Sequence, residues 1–407
     1  MKLKILQIVY AFYPPYSESG NSRVASEISK ALALRGHDVT VYTTNVLSRD
    51  KMFNLKKQVC NIHNVKVHYC KNILYKPYLP IPLFFSKDLL SKIKDSLMKY
   101  DIVHIHEYRF YTSPLIYFYA KRFRIPYIVQ AHGELPRIGP KRSLKWLFDV
   151  LFGYKLLRDA SKVIALSRFE AEQYKSMGVP EEKIAIIPNG IDLSEYANLP
   201  PKGAFKRKFG IPEEKKVILY LGRIHKIKGI DFLIKAYTHL INDRHCKDAL
   251  LVIAGPDDGY LKEAKSLTSA LSISKHVLFT GPLYGRDKLE AYVDSDVVVL
   301  PSRYETFPMA VLEAYACGKP VIASKVGGLE DLIINGETGL LFEAGNIKRL
   351  TRSIFNLINS NNMAKEMGLK SKTFVRENFT IEKVVERLEK IYEEVFKNRC
   401  YEGYGFS

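Results

Sequence analysis

Short β-branched runs alternate with stretches of helical spacing along most of this 407-residue chain. Ile5 to Tyr13, Val39 to Thr43, Val65 to Tyr69, Ile102 to His106, Tyr127 to Gln130, Val163 to Leu166 and Ile184 to Ile187 read as buried strands, bounded by turn formers. Val24, Ala25, Ile28, Ala31 and Leu32, at helical spacing up to Gly36, read as a helix after the first of them. A second series runs through Val217 to Gly222, Leu250 to Ala254, Val277 to Thr280, Val297 to Leu300 and Pro320 to Ala323. Continuous apolar strands separated by helices belong to parallel sheets covered on both faces, so two doubly wound α/β domains are predicted. The turn formers of Pro188 to Asp192 and Pro200 to Gly203 place the boundary, giving domains 1–187 and 188–378. In 379–407, Ile381, Val384, Val385, Leu388, Ile391, Tyr392 and Val395 share one helical face, with Glu386–Lys390 and Glu393–Lys397 as i,i+4 pairs.

One stretch carries more than scaffold. After the strand Val297 to Leu300, a loop holds Glu305, and a helix predicted from Phe307 to Cys317 holds Glu313, with Pro308 in its first turn and Gly318 and Pro320 ending it. Its N-terminus falls at the carboxyl end of a parallel strand, where open α/β sheets bind ligands and where free N–H groups favour a phosphate. The two carboxylates stand about 7 Å or more apart along the axis, too far to serve one small group, and suit the two ends of a nucleotide-sugar. Spacing alone fits equally a solvated helix glutamate and an ordinary loop charge.

The whole segment Ser302 to Pro320, with Val321 to Ser324 and Gly327-Gly328, resembles the E-x7-E region of glycosyltransferase family 4, the retaining GT-B enzymes also called glycosyl transferases group 1. The resemblance implies two Rossmann-like domains facing across a cleft, with the last helix crossing back to the first domain. It assigns Glu313 to the ribose hydroxyls and Glu305 to the donor sugar, with Phe307, Met309, Ala310 and Val311 also among the donor-binding residues. Many relatives have Gly at Pro308, so a contact from that N–H is absent here. Gly222, Arg223, Lys228 and Gly229 match the family's Gly-Arg-x5-Lys-Gly, whose arginine and lysine neutralise the diphosphate leaving group. Gly20 falls where a family glycine lets a loop approach the donor phosphate and acceptor. His132, in Gln130-Ala131-His132-Gly133-Glu134, falls where a histidine helps hold the donor sugar or phosphate. His104 and His106 read as structural.

Other chemistry finds less support. Neither strand series carries G-x-G-x-x-G, which disfavours a dinucleotide oxidoreductase. Asp294-Ser295-Asp296 precedes its strand and so lies at the wrong edge for a metal; Asp257-Asp258 lies at the right edge without an evident partner. No essential metal and no cofactor is expected, only a UDP- or GDP-linked sugar as co-substrate. An epimerase or glycan phosphorylase of the same fold, or a basic adaptor without turnover, are the alternatives. A phosphorylase would need a pyridoxal-lysine context, which is not found, and the full set of His132, Arg223, Lys228, Glu305 and Glu313 disfavours the adaptor.

The five cysteines are scattered and include no C-x-x-C, which suits a reducing cytosol. Met1 to Lys4 ahead of Ile5 to Tyr13 imitates a signal peptide, but the run is short, Pro14-Pro15 ends it and no small-residue cleavage site follows. The formal charge of +19 is uneven: up to Ala185 there are 30 Lys or Arg against 15 Asp or Glu, and beyond it 32 against 28. The first domain is therefore the basic one. Its stretch Arg137 to Lys162 interleaves Lys141, Arg142, Lys145, Lys155 and Arg158 with Trp146, Leu147, Phe148, Leu151, Phe152, Tyr154 and Leu157, and Tyr75 to Phe85 adds Pro-punctuated aromatics. A basic, aromatic helix suits an anionic membrane face, and core packing accounts for the same pattern. The expectation is a cytoplasmic protein, peripheral on the inner face of the membrane, acting on a glycan or lipid-linked acceptor; no nucleic-acid module is present.

Overall fold

Eight strands form one sheet in the order Ile184–Ile186, Lys162–Ala165, Tyr127–Gln130, Ile102–His106, Lys4–Ile8, Asp38–Thr44, Val65–Cys70, Val59–Ile62. Six form another, in the order Val277–Gly281, Ala249–Ala254, Lys216–Leu221, Val297–Leu300, Val321–Ser324, Gly339–Phe342. The computed structural model describes residues 1–12, 20–48, 51–52, 54, 58–72, 74–76, 83–139, 142–244 and 246–404. The chain divides into two units, Met1–Gly190 with Ile381–Ser407, and Ile191–Thr380.

Within the first sheet every pair is parallel except the edge hairpin Val59–Ile62 with Val65–Cys70. His63 (φ 50°) and Asn64 (φ 64°) make its turn left-handed at both central positions, the geometry a two-residue hairpin needs. The second sheet is parallel throughout. Numbered in chain order, the second sheet runs 3-2-1-4-5-6 and the first 3-4-2-1-5-6-7-8, so in each the crossovers leave in opposite directions from two neighbouring central strands. Those pairs are Lys4–Ile8 beside Ile102–His106 and Lys216–Leu221 beside Val297–Leu300. The carboxyl edge beside such a pair is where open α/β sheets bind their ligands, which places a candidate crevice in each unit.

All the expected strands form; the two large sheets add the edge hairpin strand Val59–Ile62 and the strand Gly339–Phe342, and two short hairpins, Val46–Ser48 with Lys51–Met52 and Leu74–Lys76 with Leu83–Phe85, stand apart from them. The first strand is shorter than Ile5 to Tyr13, ending at Ile8. The last helix, Ile381–Tyr404, belongs to the first unit and buries Ile381, Val384, Val385, Leu388, Tyr392 and Val395. Glu389 of that helix pairs with Arg35 and His37. The Glu386–Lys390 pair forms at 2.9 Å, whereas Glu393 turns to the amino group of Met1 rather than to Lys397.

The basic aromatic stretch is helical from Arg142–Phe148 through a π-turn at Asp149–Gly153 to Tyr154–Arg158. Asp149, fully buried, holds its inner face: its carboxylate accepts from Tyr108 Oη (2.8 Å), Arg109 Nε and Nη2 (3.0 and 2.8 Å) and Arg137 Nε (2.8 Å). Gly153 sits so close to Tyr108 that a Cβ there would lie 1.9 Å from the hydroxyl. Outward, Leu144, Trp146, Leu147, Val150, Leu151 and Phe152 are all exposed, Trp146 by 51% and Leu151 by 53%. Phe148 departs from the surface role its sequence position suggested, because it packs edge-on against Tyr108. Lys141 and most of Tyr75 to Phe85 lie outside the described residues; there only the backbone pairing of Leu74–Lys76 with Leu83–Phe85 is described.

Replacing Asp149 by Ala leaves two guanidinium groups beside a buried site with no counter-charge. The expected cost is about 3–5 kcal/mol, read as a lower urea midpoint for the first unit. Lys390→Ala, which breaks only an exposed pair, should cost less than about 1 kcal/mol.

Candidate active site

In the second unit the two loops flanking the crevice are pressed together. Gly229, at φ +67°, lies so near the Pro301 carbonyl that a Cβ would stand 1.9 Å from its oxygen, a position only glycine fills. Arg303 ties the loops further: its N–H donates to the Ile227 carbonyl (2.8 Å), and its guanidinium forks onto Asp231 with two 2.7 Å bonds above the Phe232 ring. The result is that Lys228 Nζ lies 2.6 Å from Glu305 Oε1, which also accepts from Ser302 Oγ at 2.9 Å. Glu305 is 7% exposed.

The following helix spans Met309–Ala316, shorter at both ends than the sequence suggested. Pro308 is its N-cap, at φ −77° and ψ 123°, and not its first helical residue; the ring's fixed φ suits both positions, and ψ decides. The Val311 N–H is taken by the Pro308 carbonyl at 3.2 Å. The Val311 amide therefore has a partner, whereas those of Met309 and Ala310, both partly exposed, have no backbone partner among the described residues. Phe307 also departs from expectation: its ring is buried beside Phe379, with centroids 5.8 Å apart, and so packs instead of lining the crevice. Glu313, 5% exposed, accepts from Lys288 Nζ at 2.6 Å and from Tyr292 Oη at 3.0 Å. Lys288 and Tyr292 sit four residues apart on the helix Gly285–Asp294 and were not singled out from sequence; the i,i+4 face shows them only once Glu313 is known to be opposite.

Arg223 pairs with Asp258 at 2.5 Å, which corrects the reading of Asp257-Asp258 as partnerless. Asp257 caps the helix Leu261–Ala270 through the amides of Gly259, Tyr260 and Leu261. Asp294 accepts from the amides of Gly203 and Lys206, and Asp296 from that of Val217, so both have backbone duties.

In the first unit, Glu107 and His132 follow the strands Ile102–His106 and Tyr127–Gln130 at the carboxyl edge, and both hold positive φ, +75° and +51°. Glu107 Oε2 accepts from the Tyr10 amide at 2.9 Å, bridging the two central loops. It was missed from sequence, although the edge argument that found His132 applies equally to it. Burial and the neighbouring Glu134 push its carboxyl well above the usual range. Glu170 holds the His132 turn by accepting from the Gly133 and Leu166 amides (2.6 and 2.7 Å), and burial lifts its carboxyl to about 7. Burial drives the His132 imidazole down to about 3. His132 Nε2 meets His106 Nδ1 at 2.9 Å. Gly20 opens the helix Gly20–Leu34; a Cβ there would meet no atom of the described residues within 4 Å, so packing against them does not require glycine. Residues 13–19 before it are not among those described.

Comparison with known proteins fits these two crevices. Residues 201–374 match the family model described as glycosyl transferases group 1, and residues 19–195 that of glycosyltransferase family 4. An uncharacterized glycosyltransferase of Methanocaldococcus jannaschii is 31% identical over 83% of this chain and 84% of its own. The N-acetyl-alpha-D-glucosaminyl L-malate synthase of Bacillus anthracis is 29% identical over 98% of each. Among solved structures, Anabaena HepE in complex with UDP and glucose superposes with a TM-score of 0.76 at 20% identity, over 96% of this chain and 100% of its own. Its GT-B fold is this chain's fold. The chain belongs to the group 1 glycosyltransferases of family 4.

Proposed function

We propose that this glycosyltransferase moves a sugar, with retention at the anomeric carbon and without a metal, from a UDP- or GDP-linked donor to a glycan or lipid-linked acceptor. The observation that carries the reading is the second unit's crevice: two buried carboxylates, Glu305 and Glu313, each fixed by a lysine, on either side of a helix start with open amides. The HepE structures with UDP, glucose and UDP-glucose support a nucleotide-sugar as the donor.

In this reading Glu313 binds the ribose hydroxyls, the Met309 and Ala310 amides meet the diphosphate, and Glu305 orients the sugar. The bond from the anomeric carbon to the phosphate oxygen breaks with its electron pair going to the diphosphate, where Arg223, Lys228 and the helix dipole receive the charge. The acceptor hydroxyl oxygen bonds to the same face of that carbon and gives its proton to the leaving phosphate oxygen. Glu305 and Glu313 are each tied to a lysine and lie apart, on the loop and in the helix after it, rather than facing one another as a double-displacement pair, which favours this front-face course. Asp294 and Asp296 are held by backbone amides, which supports a metal-free reaction.

For location, the exposed apolar face of 142–158 supports docking on an anionic membrane. Arg142, Lys155 and Arg158 are exposed around it, while its one acid, Asp149, is buried and neutralised. Among the described residues no helix is long and apolar enough to cross a bilayer.

Glu313→Ala should weaken donor and free nucleoside diphosphate together, by roughly tenfold or more for a charged hydrogen bond. Equal affinity of mutant and parent in calorimetry would remove the ribose assignment. Arg223→Ala and Lys228→Ala should lower kcat by about 10²-fold, more than they raise the donor's KM, because the leaving charge grows toward the transition state. These rates are read in EDTA, and a parent enzyme silenced by the chelator would overturn the metal-free course. In vesicle sedimentation, binding should rise with anionic lipid, fall with salt, and drop in the double variant Trp146→Ser, Leu151→Ser. No binding at low salt would favour a soluble acceptor.

A further inference from the structure

A chain of buried side chains runs from His132 back to the last helix. His132 Nε2 meets His106 Nδ1 (2.9 Å), His106 Nε2 meets Gln7 Oε1 (2.6 Å), Gln7 Nε2 donates to Tyr392 Oη (3.2 Å), and Tyr392 Oη meets His104 Nδ1 (2.7 Å). His106 stacks between the other two imidazoles, 4.2 Å from the His104 ring and 5.2 Å from that of His132. His132 Nδ1, itself out of reach of solvent, has no hydrogen-bond partner among the described residues.

We infer that Gln7, Tyr392 and His106 set the tautomer of His132 from inside the first unit, so that His132 offers an unprotonated Nδ1 as acceptor to a ligand hydroxyl. The argument is one of polarity along the chain. An amide oxygen only accepts, so His106 must carry its proton on Nε2 to meet Gln7 Oε1. A neutral imidazole then has a bare Nδ1, so His132 must supply the proton between them from its own Nε2. That leaves His132 Nδ1 with a lone pair and nothing to accept from. A phosphate oxygen or a carboxylate brings no proton to that lone pair; a sugar hydroxyl does. With Gln7 Nε2 donating to it, the Tyr392 hydroxyl gives its own proton to His104 Nδ1, so Tyr392 and a His104 that carries its proton on Nε2 together hold the amide in this orientation. A turned amide would place Nε2 against His106, move its proton to Nδ1, and convert His132 Nδ1 to a donor. Gln7, Tyr392 and His106 are thus positioning residues, the first on the central strand Lys4–Ile8 and the second on the last helix.

The ligand part of this inference rests on the transferase reading, whereas the tautomer part is tested on the protein alone. Full-length protein labelled with nitrogen-15 histidine reports by NMR which ring nitrogens carry protons, with His132→Asn and His106→Asn assigning the signals. The expected result is a proton on Nε2 and none on Nδ1 for both His106 and His132. Gln7→Met, which removes the amide, should bring a measurable Nδ1 proton population to His132, and Gln7→Glu, an acceptor like the amide oxygen, should restore the parental pattern. Tyr392→Phe should act as Gln7→Met does, and serves as the test if Gln7→Met does not fold. A purely structural Tyr392 would change the melting temperature and leave the His132 tautomer alone. A parental Nδ1 proton on His132, or a tautomer unmoved by both Gln7→Met and Tyr392→Phe, overturns the inference. Parental tautomers as expected in a chain without glycosyl transfer would fail the transferase reading and leave the tautomer relay standing.

Discussion

The absence of a side chain at Gly229 is the constraint on which the second unit's crevice depends. A Cβ there would overlap the Pro301 carbonyl, and one at Gly255 would come 1.8 Å from the Gly222 oxygen. Three strand-end loops are therefore nested backbone on backbone, closer than any side chain permits. Lys228 reaches Glu305 because the residue after it can approach Pro301, four residues before the carboxylate. The Arg303 fork on Asp231 locks the same two loops by a charge-assisted bond in partly buried surroundings. Sterics make the contact possible, and electrostatics fix its register.

Burial plays the comparable part in the first unit. At its carboxyl edge desolvation pushes His104, His106 and His132 down and Glu107, Glu134 and Glu170 up. Both shifts favour the uncharged form, so a cluster dense in ionisable groups moves toward neutrality near pH 7. The excess positive charge of the unit's sequence consequently belongs to its surface and not to this edge. Positive φ at Glu107 and His132 is the local strain that a packed network of this kind can hold.

Much of this was legible in the sequence, for identifiable reasons. Strands buried on both faces announce themselves as apolar runs, so the order of elements and the edge positions of Glu305, Arg223 and His132 could be read directly. Gly339–Phe342 was missed because four residues opening on glycine carry little β signal, and Val59–Ile62 because an edge strand alternates with polar residues. Side-chain partnerships were the larger omission. Lys288 meets Glu313 across 25 positions and Tyr392 meets His104 across 288, and no local spacing encodes such distances. In 142–158 the aromatic and basic residues were evident, but the π-turn at Asp149–Gly153 shifts the helical register, so which apolar residues face outward was not.

Two of the ion pairs around the second crevice, Arg223–Asp258 and Lys228–Glu305, differ in a way that bears on how the proposed diphosphate would be received. Arg223 is about half exposed where it meets Asp258. Such pairs contribute only about 0–1 kcal/mol, so an incoming phosphate can draw the arginine away at little cost. Lys228 and Glu305 are far less accessible, with side chains 18% and 9% exposed. Separating them would leave a poorly solvated carboxylate uncompensated, a cost of several kcal/mol. The lysine need not leave, however, since its ammonium has three protons and Glu305 engages one of them. In the proposed reading a diphosphate would then be met by an arginine that changes partner and a lysine that keeps its own. In the proposed reaction Glu305, held throughout, would be the fixed point against which the sugar is oriented.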